Sequence, residues 1–282
     1  MHPLIFGIPV YFVGWLLAAL VCIPLGTELG RRSGFPALRV AALLTCCSLI
    51  LLVGSKLLYV AETTLFPAED YVPPALRGSL HGFRIPGGAL LLAVTFPLWS
   101  SLFRLPWRRF GDLEAPVLAG ALIFIRLGCF LNGCCFGRIS TVPWAVRFPR
   151  DSWAFRYQVS QGWLPHDAPL SLPVHPLQLY FVAAAALTLL VLLLVRRGQY
   201  PGQRQLLLYT LFFSTTAFLE PFRANHLNLN MWLVSTAALV CAGLLVGRLL
   251  ASPVVEIDPR HSSASRSPST VLRTGPTLHG ES

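Results

Sequence analysis

Residues 126–138 read RLGCFLNGCCFGR, two arginines bracketing three glycines, an asparagine and three cysteines at the end of an apolar run. Arg126 and Arg138 could present guanidinium forks to a phosphate, where arginine's bidentate geometry surpasses lysine's point charge. Gly128, Gly133 and Gly137 permit turns and close backbone approach. A polar break at membrane depth is tolerated only where it lines a cavity or packs on protein. The competing reading is a pair of arginines snorkelling beside a glycine-rich helix end. Cys129, Cys134 and Cys135 leave open a structural role, a disulfide through Cys129, or a reactive thiol. Adjacent Cys134 and Cys135 would bridge each other only with strain. No metal is expected: C-x4-C-C matches no common zinc pattern, and only His175 could add a fourth ligand. Cys22, Cys46, Cys47 and Cys241 fall inside apolar runs and read as small packing residues.

Three other stretches carry polar chemistry. In VHPLQLYF (174–181), Pro176 suits a first helical turn, so His175, Gln178 and Tyr180 enter the bilayer from a helix start. In FLEPFRANH (218–226), Glu220 and Arg223 stand three apart and can pair across one helical turn. Glu220 reads as the only acid so deep in an apolar setting. RGSLHGFRIPGG (77–88) adds Arg77, Arg84, His81 and four glycines. Each stretch has a purely structural reading: a satisfied histidine, an ion pair closing a helix, a glycine-rich turn. All four fall on one face of the membrane, and that convergence points to a single polar cavity opening to the outer leaflet.

The elements that must position them are transmembrane helices. Of 282 residues 54% are hydrophobic and only 12% charged, about half the charge of a soluble domain. The expected class is all-α and polytopic, with seven spans near 4–25, 37–60, 85–103, 113–131, 175–195, 205–221 and 231–250. The first run lacks a basic leader and a small-residue cleavage site, and reads as a retained helix. Arg31 and Arg32, then Arg104, Arg108 and Arg109, then Arg196, Arg197 and Arg204, and finally Arg248, fall in alternate connections. The positive-inside rule makes those connections cytoplasmic, with the N-terminus out and the C-terminus in. Arg126, Arg138, Arg147, Arg150 and Arg156 run against that bias, and arginine at such sites is costly unless paired or functional. The net charge of +10 does not mark a nucleic-acid binder, because no basic tract with interleaved aromatics occurs. Residues 1–251 read as one membrane domain and 132–173 as a periplasmic segment within it, with Trp153 and Trp163 at the headgroup belt. Residues 252–282 read as a disordered cytoplasmic tail.

With these residues assembled, the chain resembles the prolipoprotein diacylglyceryl transferases over most of residues 1–250. The family signature is close to R-x-G-N-F-x-N-x-E-x-x-G-R; HPLQLY is similar to its H-P-[ST]-Q-L-Y, and LEPFR to its E-x-x-R. The resemblance implies a multi-pass protein of the bacterial inner membrane and no cofactor. It implies transfer of diacylglyceryl from phosphatidylglycerol, or another anionic phospholipid, to the lipobox cysteine thiol of a prolipoprotein signal peptide, releasing glycerol phosphate. By resemblance Arg126 is the phosphate-facing arginine. Asn132, Gly137 and Arg138 keep signature places, His175, Gln178 and Tyr180 the fifth-span motif, and Glu220 and Arg223 the late acid–arginine pair. Tyr11 is similar to a first-helix tyrosine. His81 or His175 could take the proton of the incoming thiol. Four positions depart from the pattern. Cys129 replaces asparagine, Cys134 replaces glutamate, Thr216 stands where the family has arginine, and Pro86 where it has histidine unless His81 serves. The cysteines keep two alternatives in view: a related thiol-dependent lipid- or thiol-modifying enzyme, and a phospholipid-binding homologue without chemistry.

Overall fold

In the computed structural model, residues 4–5, 8–65, 82–150, 152–195, 200–224 and 228–251 are described. The chain begins with a small antiparallel pair, β1 Leu4–Ile5 and β2 Ile8–Pro9, with Leu4 opposite Pro9 and Ile5 opposite Ile8. Helices follow: α1 Tyr11–Arg32, α2 Ala37–Leu65, α3 Ile85–Leu102, α4 Trp107–Asn132 and the short α5 Trp153–Ser160. After them come α6 Leu177–Leu194, α7 Gln203–Leu219, a 3₁₀ turn at Glu220–Phe222, and α8 Asn228–Ala251. Among the described residues six helices are long and apolar enough to cross a membrane; α7, at 17 residues, is the long helix outside that set. Among the described residues the protein is thus helical and polytopic apart from this short strand pair.

Several expected boundaries move. The first span does not start at residue 4: residues 4–5 and 8–9 pair as strands, Pro9 disfavours a helix interior, and α1 begins at Tyr11. It runs on to Arg32, where Glu28 pairs with Arg31 and Arg32 at 2.7 Å each. α4 begins at Trp107 rather than 113. Its added turns carry Asp112, whose carboxylate accepts from the backbone N–H groups of Gly202 and Arg204 at 2.7 Å. The unsatisfied donors at the start of α7 are therefore capped from another helix.

α4 is the central helix, packed against α1, α3, α6 and α7; α2 lies against α1 and α3, and α8 against α7. α1 and α4 cross with their backbones almost in contact. A Cβ on Gly14 would lie 2.6 Å from the Phe124 carbonyl oxygen and 2.9 Å from the Gly128 Cα. Small residues at such crossings let helices associate by close packing where lipid removes the hydrophobic drive. The motif glycine at 128 is thus part of the crossing that holds Arg126, two residues earlier, in the centre of the bundle. α8 turns Trp232, Leu239 and Leu250 outward, as a lipid-facing helix does.

Candidate functional site

Three segments distant in sequence are joined by backbone hydrogen bonds at one end of the bundle. α4 ends at Gly133, whose left-handed φ of 68° lets its N–H reach the Phe130 carbonyl at 3.1 Å. The Cys134 N–H closes onto the Cys129 carbonyl at 3.2 Å. Cys135 then adopts φ 56°, a left-handed conformation that costs a non-glycine residue about 1–2 kcal/mol. Such a backbone persists only where its surroundings impose it. Residues 136–138 next run beside two other segments. The Gly137 N–H donates to the His175 carbonyl at 2.9 Å and the His175 N–H to the Arg138 carbonyl at 3.0 Å. The Arg138 N–H donates to the Phe222 carbonyl at 2.8 Å, and Gly137 bridges Arg223 antiparallel. The signature, the HPLQLY segment and the LEPFR segment are therefore one backbone unit.

A cavity of about 170 Å³ opens above this unit, far more than the roughly 10–15 Å³ that admits one water. Arg126, Cys129, Asn132, Cys134, Cys135 and Arg223 line one side of it. Tyr11 of α1 and Arg84 and Pro86 at the start of α3 line the other. Three of the four stretches singled out in the sequence thus line one space, while the fourth, VHPLQLYF, contributes no lining residue; Arg77 and His81 lie outside the described residues. Trp153, expected at the headgroup belt, also lines the cavity, whereas Trp163 is exposed.

The cavity holds three arginines, and their partners differ. Arg223 is buried and its Nε donates to both carboxylate oxygens of Glu220, at 3.0 and 3.1 Å. Arg84 donates from Nε to Glu62 at 2.7 Å. Arg126 is only 3% exposed and, among the described residues, makes no ion pair. Its guanidinium lies over the Phe181 ring at 4.0 Å, a cation–π contact that holds the fork without neutralising it. A buried cation without a counter-ion is expensive unless it meets an anion in use.

Other expected site residues stand behind the wall. Gln178 is fully buried and donates from Nε2 to the Cys134 carbonyl at 2.6 Å, fixing the cysteine turn. His175 Nδ1 lies 3.0 Å from the Tyr180 hydroxyl, which also accepts from the Trp144 indole at 2.7 Å. Neither ring lines the cavity. The Arg138 side chain is exposed; its backbone, not its guanidinium, joins the unit. Thr216 is buried, donates to the Phe212 carbonyl at 2.7 Å, and lines a smaller void beside Arg126 and Phe181.

Glu220 is not the only deep acid. Glu62 is fully buried near the end of α2, and Glu114 is 4% exposed in α4. α2 extends beyond the apolar run that marked it, so Glu62 falls inside the bundle rather than beyond it, whereas Glu114 already lies within the expected fourth span. The Arg84–Glu62 pair, Tyr59 and Asn230 are cavity features that motif reading missed. An acid closing a long apolar run, with an arginine opening the next, was the available signal for the first.

A model of the prolipoprotein diacylglyceryl transferase family matches residues 3–252. Relatives include phosphatidylglycerol–prolipoprotein diacylglyceryl transferase 2 of Clostridium perfringens, 27% identical with 93% of this chain and 97% of that protein covered. A transferase of the same description from Clostridium tetani is 24% identical over 84% of this chain and 89% of its own. One from Oleidesulfovibrio alaskensis is 28% identical, with 85% and 83% covered. The match runs from β1 through α8 and includes every wall of the cavity, so the chain belongs to the prolipoprotein diacylglyceryl transferase family.

Proposed function

We propose that this protein transfers the diacylglyceryl group of phosphatidylglycerol to a prolipoprotein's lipobox cysteine, forming a thioether and releasing glycerol phosphate. The observation that carries the reading is Arg126, a buried guanidinium with no ion pair among the described residues, held over the Phe181 ring in the wall of the cavity. A phosphodiester is the anion that this fork fits, and it becomes more charged as its ester bond breaks. A preorganised donor aimed at developing charge lowers the barrier more than one solvated by water. Arg223 and Arg84 keep their acids, so they hold the cavity's shape while Arg126 meets the leaving group.

The same reading places the chain in a bacterial inner membrane with seven spans, N-terminus out and C-terminus in, and the cavity on the outer face. The phospholipid enters sideways from the bilayer with its headgroup toward Arg126. The signal peptide of the prolipoprotein approaches along the membrane surface.

The test uses purified protein in detergent, phosphatidylglycerol, and a lipobox peptide with cysteine or serine. Mass spectrometry of the cysteine peptide should show one diacylglyceryl added per molecule, with none on the serine peptide. Equal recovery of unmodified peptide with the protein demonstrably folded would sink the proposal. Phospholipid co-purifying in that case would favour a binding homologue.

A further inference from the structure

The three cysteines of the cavity wall have a common focus. Cys129 on the last turn of α4 and Cys134 and Cys135 on the turn beyond it place their sulfurs within 4.8 Å of one another. None of the three is in a disulfide, the Cys134 thiol donates to the Cys129 carbonyl at 3.6 Å, and all three line the same cavity. A zinc ion bound by thiolates at 2.3 Å needs sulfurs roughly 3.8–4.0 Å apart. Side-chain torsions alone can close that gap. Spacing along the chain did not announce the site, because the left-handed turn at Cys135 is what folds the third sulfur back toward the other two.

We propose that Cys129, Cys134 and Cys135 form a three-thiolate site for a zinc-class divalent cation whose open fourth position takes the acceptor thiol. The inference rests on the transfer reaction proposed above and deepens it. Two further observations point to the same place. Asn132, 2% exposed and in the same wall, has a buried Oδ1 with no hydrogen-bond partner, a polar acceptor left facing a ligand. Among the described residues no histidine or carboxylate lines the cavity to take the proton of an incoming thiol. A divalent cation does that work by coordination, since a bound thiol is deprotonated outright. Soft thiolate ligands select zinc over magnesium or calcium, and three protein ligands with one open position is the pattern of a reactive rather than a structural site. Charge also balances. Three thiolates and one divalent cation leave one negative charge, which Arg126 in the same wall offsets before substrate binds.

The step closes as follows. The acceptor thiol binds the cation as thiolate and releases its proton to solvent. Its sulfur attacks the glyceryl carbon that bears the phosphate. The carbon–sulfur bond forms as the carbon–oxygen bond breaks, and glycerol phosphate leaves with the electron pair beside Arg126. The thioether product is a poor ligand and departs.

The experiment measures metal, not activity. Full-length protein is purified in detergent without chelator, and zinc per chain is counted by elemental analysis. About one zinc is expected for the wild type and for Cys46→Ser/Cys241→Ser, and near none for Cys129→Ser/Cys134→Ser/Cys135→Ser. If the triple variant does not fold, cobalt-loaded wild-type protein decides. It should show intense sulfur-to-cobalt charge-transfer bands, and its visible bands should shift with a lipobox cysteine peptide but not with the serine peptide. Metal-free wild type, metal that survives loss of all three cysteines, a disulfide within the trio in fresh membranes, or identical spectra with both peptides would each overturn the proposal. Transfer by a metal-free protein would remove this inference alone. Zinc and thiol binding without transfer would remove the proposed reaction alone.

Discussion

At the scale of single residues, the cavity holds two arginines that keep carboxylate partners and one, Arg126, with no ion pair among the described residues. Among the described residues Arg126 has no ion-pair partner, so Arg126→Ala removes no such pair and should leave the folded protein intact. Transfer should fall by about 10²–10³-fold, the usual loss for one preorganised oxyanion donor. Arg126→Lys should recover only part of it, because a point charge cannot replace a bidentate fork. Reporter-peptide kinetics with purified protein check both; wild-type rates in Arg126→Ala would refute the role. Arg223 is different, because Glu220 is its partner. Glu220→Gln strands a buried cation, a change that costs about 3–5 kcal/mol. Thermal unfolding in detergent should show the loss, and Glu220→Gln/Arg223→Met should regain most of it. An unchanged midpoint in Glu220→Gln would mean that the pair does not hold this turn.

At the scale of elements, the α1–α4 crossing sets where Arg126 stands. Gly14→Leu forces the helices apart and should cost roughly 1–3 kcal/mol as overpacking, with transfer reduced in proportion to the displaced cavity wall. Gly120→Leu, also on α4, meets nothing within 4 Å and should be neutral. Comparable unfolding midpoints for the two variants would show that the crossing is not tight. The same elements explain what sequence reading could reach. Apolar runs of about twenty residues mark helices directly, so the long helices fall near their expected places. Residues 4–9 are as apolar as a helix start, and only the glycine and proline give the hairpin away. That HPLQLY and LEPFR meet the signature was legible from their shared face of the membrane. That His175 points to Tyr180 and away from the cavity was not, because side-chain direction depends on how Pro176 starts α6 against residues 136–138. Nor was the sulfur cluster legible, since a backbone turn made it and not a spacing.

At the scale of the whole molecule, the claim is an outward-facing site for two membrane-bound substrates. A green fluorescent protein fused after residue 251 should fluoresce, and alkaline phosphatase inserted within 161–168 should be active; the reverse pattern would put the cavity on the wrong side for prolipoproteins. The most direct test is complementation. A strain depleted of its own diacylglyceryl transferase would express this chain with a reporter prolipoprotein, and mass spectrometry would read the lipobox cysteine. The account predicts a diacylglyceryl thioether on that cysteine and restored growth, with both lost in Arg126→Ala. Unmodified prolipoprotein, with the wild-type chain present and folded in the membrane, would contradict it.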